Sequence, residues 1–210
     1  FYNSPSHKIK LVGITGTNGK TTTATLLHDL YTNLGYTCGL ISTVTNKIAN
    51  RAIKATHTTP DPIALNSLFN EMLEEGCTHC FMEVSSHAVV QNRIYGIQFC
   101  GGVFTNISHD HLDYHKTFAA YIKAKKMFFD RLSNNAFALV NIDDKNGSVM
   151  VQNTKALKYN YALKTPADFK AKIIENEISG LVLNVEGKEF YSRLIGQFNA
   201  YNLLTVYATA

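Results

Sequence analysis

The stretch Gly16-Thr17-Asn18-Gly19-Lys20-Thr21-Thr22 stands between a β-rich run and an amphipathic helical pattern. Two glycines, an amine and three hydroxyls in that order suit the holding of a polyphosphate. Glycines let backbone N–H groups turn towards phosphate oxygens, and a helix N-terminus adds partial positive charge. Lys20 can reach β- and γ-phosphates, and a threonine hydroxyl can ligate Mg²⁺. The match to Gly-x-x-x-x-Gly-Lys-[Ser/Thr] is imperfect. Its first glycine would fall at Ile14, with Gly13 one residue early and Gly16 two late. A glycine-rich turn followed by a chance Lys-Thr is the alternative. Strand, loop, lysine, hydroxyls and helix all agree against it.

Three further features could take part. Glu83 closes the apolar run Phe81-Met82-Glu83-Val84, where a strand end puts a carboxylate at the ligand edge of a parallel sheet. It is placed to hold Mg²⁺, or to cap the helix that follows. The segment Asn106-Ile107-Ser108-His109-Asp110-His111-Leu112-Asp113-Tyr114-His115 is the densest cluster of polar and titratable groups. It is reminiscent of a zinc hydrolase signature, but zinc needs further ligands downstream and no histidine follows His115. A magnesium or phosphate-edge role, or a solvated loop, remains. Lys125 follows Ile122 by three and precedes Phe129 by four, so it shares their inward helix stripe. Burial disfavours its ammonium form and lowers its pKa, and a neutral amine can take up CO₂ as an anionic carbamate. Snorkelling to the helix edge is the other reading. Cys77-Thr78-His79-Cys80 has no second pair to complete a zinc site and runs into a strand rather than a helix, so it reads as structural.

Positioning these residues takes an α/β fold: a P-loop-type, mostly parallel sheet flanked by helices, with an added antiparallel C-terminal strand region. The patterns predict strands at residues 8–15, 36–43, 78–84, 98–105 and 136–142. Helices are predicted at 21–34 (stripe Leu26, Leu27, Leu30, Leu34), from Asp61-Pro62 (stripe Leu65, Leu68, Phe69, Met72) and at 117–132. Residues 44–60 form a hairpin or a loop. Runs at 156–161, 169–174, 181–185 and 189–194 read as the antiparallel edge, and a last helix begins near Ala200. The 210 residues are 45% hydrophobic and 17% charged, which excludes disorder and allows a sizeable core. A net charge of +4 falls well short of a nucleic-acid coat, no apolar run suits a membrane span, and the start lacks a signal peptide. Four cysteines fit a reducing compartment. The chain begins without Met and ends as a helix cut in mid-course, so a fragment is expected.

The glycine loop, Glu83-Val84-Ser85-Ser86-His87, Asp110-His111-Leu112-Asp113-Tyr114-His115, Tyr121 to Lys125, and Gly196-Gln197-Phe198-Asn199-Ala200-Tyr201-Asn202 together resemble the Mur ligases of peptidoglycan synthesis. The resemblance covers essentially the whole chain, in the same order. Thr58-Thr59-Pro60 and Gln91-Asn92-Arg93 are most similar to the branch that adds the third residue to UDP-N-acetylmuramoyl-L-Ala-D-Glu. The resemblance implies that ATP activates the substrate carboxylate as an acyl phosphate, which an amino-acid amine then attacks. It implies ATP on Gly16, Thr17, Asn18, Gly19, Lys20, Thr21 and Thr22, with Asn199 and Asn202 near the adenine. Thr21 and Glu83 would hold one Mg²⁺. His111 would hold a second, helped by a carbamate on Lys125. Thr58, Thr59, Ser85, Gln91 and Arg93 would contact the muramoyl dipeptide.

Lys20, Glu83, His111 and Lys125 are then the catalytic set of a cytoplasmic, monomeric enzyme. Residues 1–210 would be its central ATP-binding domain. An N-terminal domain for the uridine end and a C-terminal domain that selects the amino acid would lie outside it, so this chain alone is not expected to complete ligation. Lys116 stands where a glycine is common in the family, and His57 occupies a variable position. The alternatives are another Mur ligase, a folylpolyglutamate-synthase-like ligase, or a P-loop NTPase module without ligation.

Overall fold

Alternating strands and helices force successive strands to re-enter the sheet in the same direction, with helices covering both faces. The computed structural model describes residues 2–108 and 112–210. After a 3₁₀ turn at Pro5–Lys8 come β1 (Lys10–Thr15), α1 (Lys20–Asn33), β2 (Cys38–Ile41), β3 (Thr45–Ile48), β4 (Arg51–Lys54) and α2 (Pro62–Glu74). Next are β5 (His79–Glu83), α3 (Ser86–Val90), β6 (Gly101–Phe104), α4 (Leu112–His115), α5 (Phe118–Asp130), β7 (Phe137–Asn141) and α6 (Gly147–Met150). The chain closes with β8 (Leu157–Ala162), β9 (Phe169–Glu177), β10 (Gly180–Val185), β11 (Lys188–Ser192) and α7 (Gln197–Thr209).

The described strands form one sheet in the order β11-β10-β9-β8-β7-β6-β1-β5-β2-β3-β4. β1 is central and parallel to both neighbours, β5 and β6. One core, with Leu11, Phe69, Met82, Phe104 and Phe129, fills the side of α2 and α5. The other, with Ile14, Leu27, Phe81, Val103 and Leu204, fills the side of α1 and α7. The α/β, mostly parallel architecture is therefore as the sequence implies, and β9, β10 and β11 supply its antiparallel C-terminal region.

The structure corrects two details and settles one alternative. The run at 156–161 is not part of the antiparallel edge: β8 is parallel to β7, and β9 pairs parallel to β8 at its start. The chain turns back through α6, a four-residue helix too short to show a helical period. At the opposite edge, residues 44–60 resolve the hairpin-or-loop alternative with the antiparallel pair β3–β4. In α1 the inward face is Thr23, Ala24, Leu27 and His28, while Leu34 is 63% exposed just past the helix end.

α2 begins as the sequence indicates, with the Asp61 carboxylate accepting the N–H groups of Ile63 and Ala64. Lys116 has φ +62°, the left-handed region that glycine enters most easily. A glycine, which the resemblance leads one to expect there, would carry that φ without strain. Cys77 and Cys80 are buried free thiols, and burial pushes both thiols up, well up for Cys80, as suits a structural pair.

Candidate functional site

The register of β1 decides what surrounds the glycine loop. Ile14 pairs with Glu83 on β5 and Thr15 with Phe104 on β6, so residues 16–19 emerge between the ends of those two strands. The segment after β6 staples the loop. Thr17 N–H donates to the Asn106 carbonyl (2.8 Å), and Asn18 N–H donates to Asn106 Oδ1 (3.0 Å). Asn106 Nδ2 returns a bond to the Asn18 carbonyl (3.0 Å), which also accepts from Thr105 Oγ1 (2.7 Å). Gly16 sits so close to Thr105 that a Cβ would lie 1.9 Å from its hydroxyl oxygen. Gly19, at φ +84°, caps α1, and a Cβ there would lie 2.4 Å from Asn202 Oδ1 on α7. The loop, β6 and α7 are thus packed at backbone distance.

Lys20, the first residue of α1, folds over the loop and donates to the Gly16 (3.0 Å) and Thr17 (2.8 Å) carbonyls. Thr21 Oγ1 donates to Glu83 Oε1 at 2.7 Å. Glu83 is fully buried and also accepts from Thr43 N–H (2.8 Å) and Thr43 Oγ1 (3.1 Å). Among the described residues, every hydrogen-bond partner of this buried carboxylate is a hydroxyl or an N–H, and no ion pair reaches it. A buried carboxylate without a cation is costly. A threonine hydroxyl beside a carboxylate is also an all-oxygen donor set of the kind that hard divalent cations take. The residues therefore fit Mg²⁺.

Lys125 lies on the inward face of α5 as its spacing requires. It is 1% exposed, its Nζ donates to the Gly16 carbonyl (2.8 Å), and it stands 4.7 Å from the centre of the Tyr121 ring. Tyr121, one turn earlier, meets Thr17 Oγ1 through its hydroxyl at 3.2 Å. α5 therefore holds the phosphate loop from below at two points. His111, with His109 and Asp110, lies outside the described residues.

Two lobes open on either side of the loop. The first, about 480 Å³, is lined by Gly16, Lys20, Thr43, Thr58, Thr59, Ser85, Arg93 and Lys125, with His57 and His87. Among the described residues its charged lining is cationic, with no carboxylate. Thr59 Oγ1 donates to the Glu83 carbonyl (2.8 Å) and accepts from Ser85 N–H (3.1 Å), while Arg93 donates to the Thr59 carbonyl (2.8 Å). Gln91 does not line the lobe. It accepts from Arg93 Nε at 2.8 Å and donates to the Tyr114 hydroxyl at 3.1 Å, so it orients the arginine instead.

The second lobe, about 640 Å³, is lined by amides and acids: Asn18, Asn106, Asn141, Asp143, Asp144 and Asn202, with Gly19, Thr22, Phe198 and Tyr201. Asn199 is not among its walls. It is buried, donates to the Ile195 carbonyl (2.8 Å) and accepts from Asn202 Nδ2 (3.1 Å), which fixes the amide that does face the lobe. Asp143 accepts the N–H groups of Leu163, Lys164 and Thr165 and the hydroxyls of Thr165 and Tyr201. Burial alone would push the Asp143 carboxyl up. The Thr165 hydroxyl and the N–H groups of Lys164, Thr165 and Leu163 outweigh it and hold the group well below the usual carboxylate range. Burial, then the bond to Asp143, pushes the Tyr201 hydroxyl up.

The sequence motifs missed Thr43, Asn141, Asp143 and Asp144. Each is an ordinary turn or strand-end residue until the sheet assembles it beside the loop.

Comparison with known families matches residues 14–210 to the Mur ligase middle domain. The chain belongs to this family. It is 64% identical over its whole length to the UDP-N-acetylmuramoyl-L-alanyl-D-glutamate–2,6-diaminopimelate ligase of Cytophaga hutchinsonii, of which it spans 43%. It is 56% identical to the ligase of the same name from Phocaeicola vulgatus, again spanning 43% of it. A solved diaminopimelate ligase of that name superposes with a TM-score of 0.86 at 29% identity, over 96% of this chain and 43% of that one. The MurF ligase of Acinetobacter baumannii has a TM-score of 0.74 at 16% identity, over 100% of this chain and 45% of its own, a likeness of fold. The chain thus spans less than half the length of these Mur ligases. Among its described residues no helix is long and apolar enough to cross a membrane.

Proposed function

We propose that this chain is the ATP-binding middle domain of a ligase that joins 2,6-diaminopimelate to UDP-N-acetylmuramoyl-L-Ala-D-Glu in peptidoglycan precursor synthesis. The observation that carries the reading is the phosphate loop standing between a cation-lined lobe and an amide-lined lobe. Amides and an exposed aromatic ring suit a nucleoside: Asn106, Asn141 and Asn202 offer donors and acceptors, and Phe198 offers a ring face. Cations and hydroxyls suit an acidic acceptor: Arg93 and Lys20 offset its charge, while Thr58, Thr59 and Ser85 offer hydrogen bonds. The names of the relatives supply the diaminopimelate.

In this reading Gly16 to Thr22 cradle the ATP phosphates. Lys20 leaves its two loop carbonyls for the γ-phosphate. The D-Glu carboxylate oxygen attacks the γ-phosphorus, the bond to the bridging oxygen breaks, and ADP leaves. The amine of diaminopimelate then attacks the acyl carbon, phosphate departs, and the amine gives up its proton. Magnesium held by Thr21 and Glu83, with a second ion on His111 and a Lys125 carbamate, would offset the charge of triphosphate and carboxylate. Arg93 steers the carboxylate, and Gln91 holds Arg93. A water-poor cleft protects the acyl phosphate.

Residues 1–210 form one part of the enzyme. The uridine end and the amino acid are left to regions outside them, and the reaction runs in the cytoplasm on a monomer. The test is ADP release by a protein carrying this chain within the full length of its relatives. Turnover should need both the muramoyl dipeptide and diaminopimelate. Equal ATP turnover without the dipeptide would leave an NTPase module and overturn the ligase reading.

A further inference from the structure

Thr43 follows β2, exposed at the mouth of the cation-lined lobe, and belongs to no motif. It nevertheless supplies two of the three donors to the Glu83 carboxylate among the described residues, its N–H to Oε1 and its hydroxyl to Oε2. One residue therefore grips both oxygens of a fully buried carboxylate. The third donor, the Thr21 hydroxyl, is the one a cation would displace, because Thr21 and Glu83 would both turn to it. The grip of Thr43 can persist with a cation in place.

Thr43 Oγ1 is also 3.1 Å from Thr58 Oγ1. A hydroxyl has one proton, and a carboxylate can only accept. When the Thr43 proton goes to Glu83, Thr43 must accept from Thr58. The chain Thr58, Thr43, Glu83 then runs from the acceptor lobe to the candidate metal carboxylate. A hydrogen bond to a charged acceptor is the strong kind, and such chains reinforce one another.

We propose that Thr43 is a positioning residue that fixes the Glu83 carboxylate for the cation and links it through Thr58 to the acceptor lobe. The proposal rests on the nucleotide-and-magnesium reading of the site. The side chain is exposed, and Thr43→Val keeps both its shape and its backbone N–H.

The test is ATP binding to the 210-residue chain by calorimetry across a Mg²⁺ titration, with folding checked by circular dichroism. Thr43→Val should raise the Mg²⁺ midpoint about tenfold, the scale of one hydrogen bond to a charged group. Thr43→Ser should restore it to within about twofold, and metal-free ATP binding should not change in either variant. Thr58→Val should shift the midpoint in the parent chain and leave it unmoved in Thr43→Val, since the relay is already broken.

A Thr43→Val midpoint equal to the parent's overturns the proposal. So does a Thr43→Ser midpoint as poor as that of Thr43→Val, or a Thr58→Val shift that is the same in both backgrounds. A parent chain whose ATP binding ignores Mg²⁺ would instead sink the site reading, and the proposal with it.

Discussion

Gly16→Ala tests whether the phosphate loop is held by close packing against β6. Two costs can be worked from the geometry. At φ +153° a side chain is strained, at about 1–3 kcal/mol for backbone regions reserved to glycine. The new Cβ would stand 1.9 Å from Thr105 Oγ1 and 3.0 Å from the Asn106 carbonyl oxygen, an overpacking worth about 1–3 kcal/mol after relaxation. The sum, roughly 2–6 kcal/mol, falls on the groups that staple the loop, because Thr105 and Asn106 hold Thr17 and Asn18. The variant should melt earlier and bind ATP at least about thirtyfold more weakly, which is the lower end of that range.

A double-mutant cycle separates the two costs. Thr105→Ala removes the nearest atom, so Gly16→Ala should cost at least about 1 kcal/mol less in that background while the φ strain stays. Thermal denaturation and ATP titration on all four chains give the answer. Equal costs in both backgrounds, or a Gly16→Ala variant within about 0.5 kcal/mol of the parent, would refute the packing argument.

Other expectations follow from the same contacts. Asp143→Asn should lower stability at pH 7 by about 1–2 kcal/mol, discounted for the exposed part of the carboxylate, and weaken ATP binding through Tyr201 and the 163–165 loop. Because the folded carboxyl titrates below its unfolded value, the parent has this stability in full above about pH 4 and loses it as pH falls further. Melts against pH should show that part of the acid slope missing in the Asn variant. Lys125→Ala in the full-length ligase should abolish ligation with no rescue by bicarbonate. Substantial activity would remove Lys125 from the catalytic set. Lys116→Gly should stabilise the chain by about 0.5–1 kcal/mol in chemical denaturation, as relief of the positive φ outweighs the added freedom of the unfolded chain. A destabilised variant would contradict that balance.

What could be read in advance follows from how far apart the deciding residues lie. The inward place of Lys125 was legible because spacings of three and four within one helix settle it. The strand ending at Glu83 was legible from its apolar neighbours. The pairing of Ile14 with Glu83 was not, since register belongs to the folded sheet. The amide-lined lobe draws on the loop, the ends of β6 and β7, and α7, and no local pattern links Asn18, Asn106, Asn141 and Asn202. The resemblance implies ligand contacts for Gln91 and Asn199, and it says nothing of the bonds by which they hold Arg93 and Asn202. The strand at β8 was legible but its parallel direction was not, because its crossover helix is a single turn.

The central claim is that Glu83 with Thr21 forms the magnesium edge of a nucleotide site. Glu83→Gln tests it while sparing the fold. The Gln oxygen can face Thr43 N–H and Thr21, and its amide can face Thr43 Oγ1, which is free to accept. Stability should therefore change by no more than about 1 kcal/mol. Calorimetric ATP titrations with and without Mg²⁺, on the parent and on Glu83→Gln, read the claim directly. The account predicts that Mg²⁺ tightens ATP binding by the parent at least about tenfold and leaves Glu83→Gln almost unmoved. Equal tightening in both chains would contradict it.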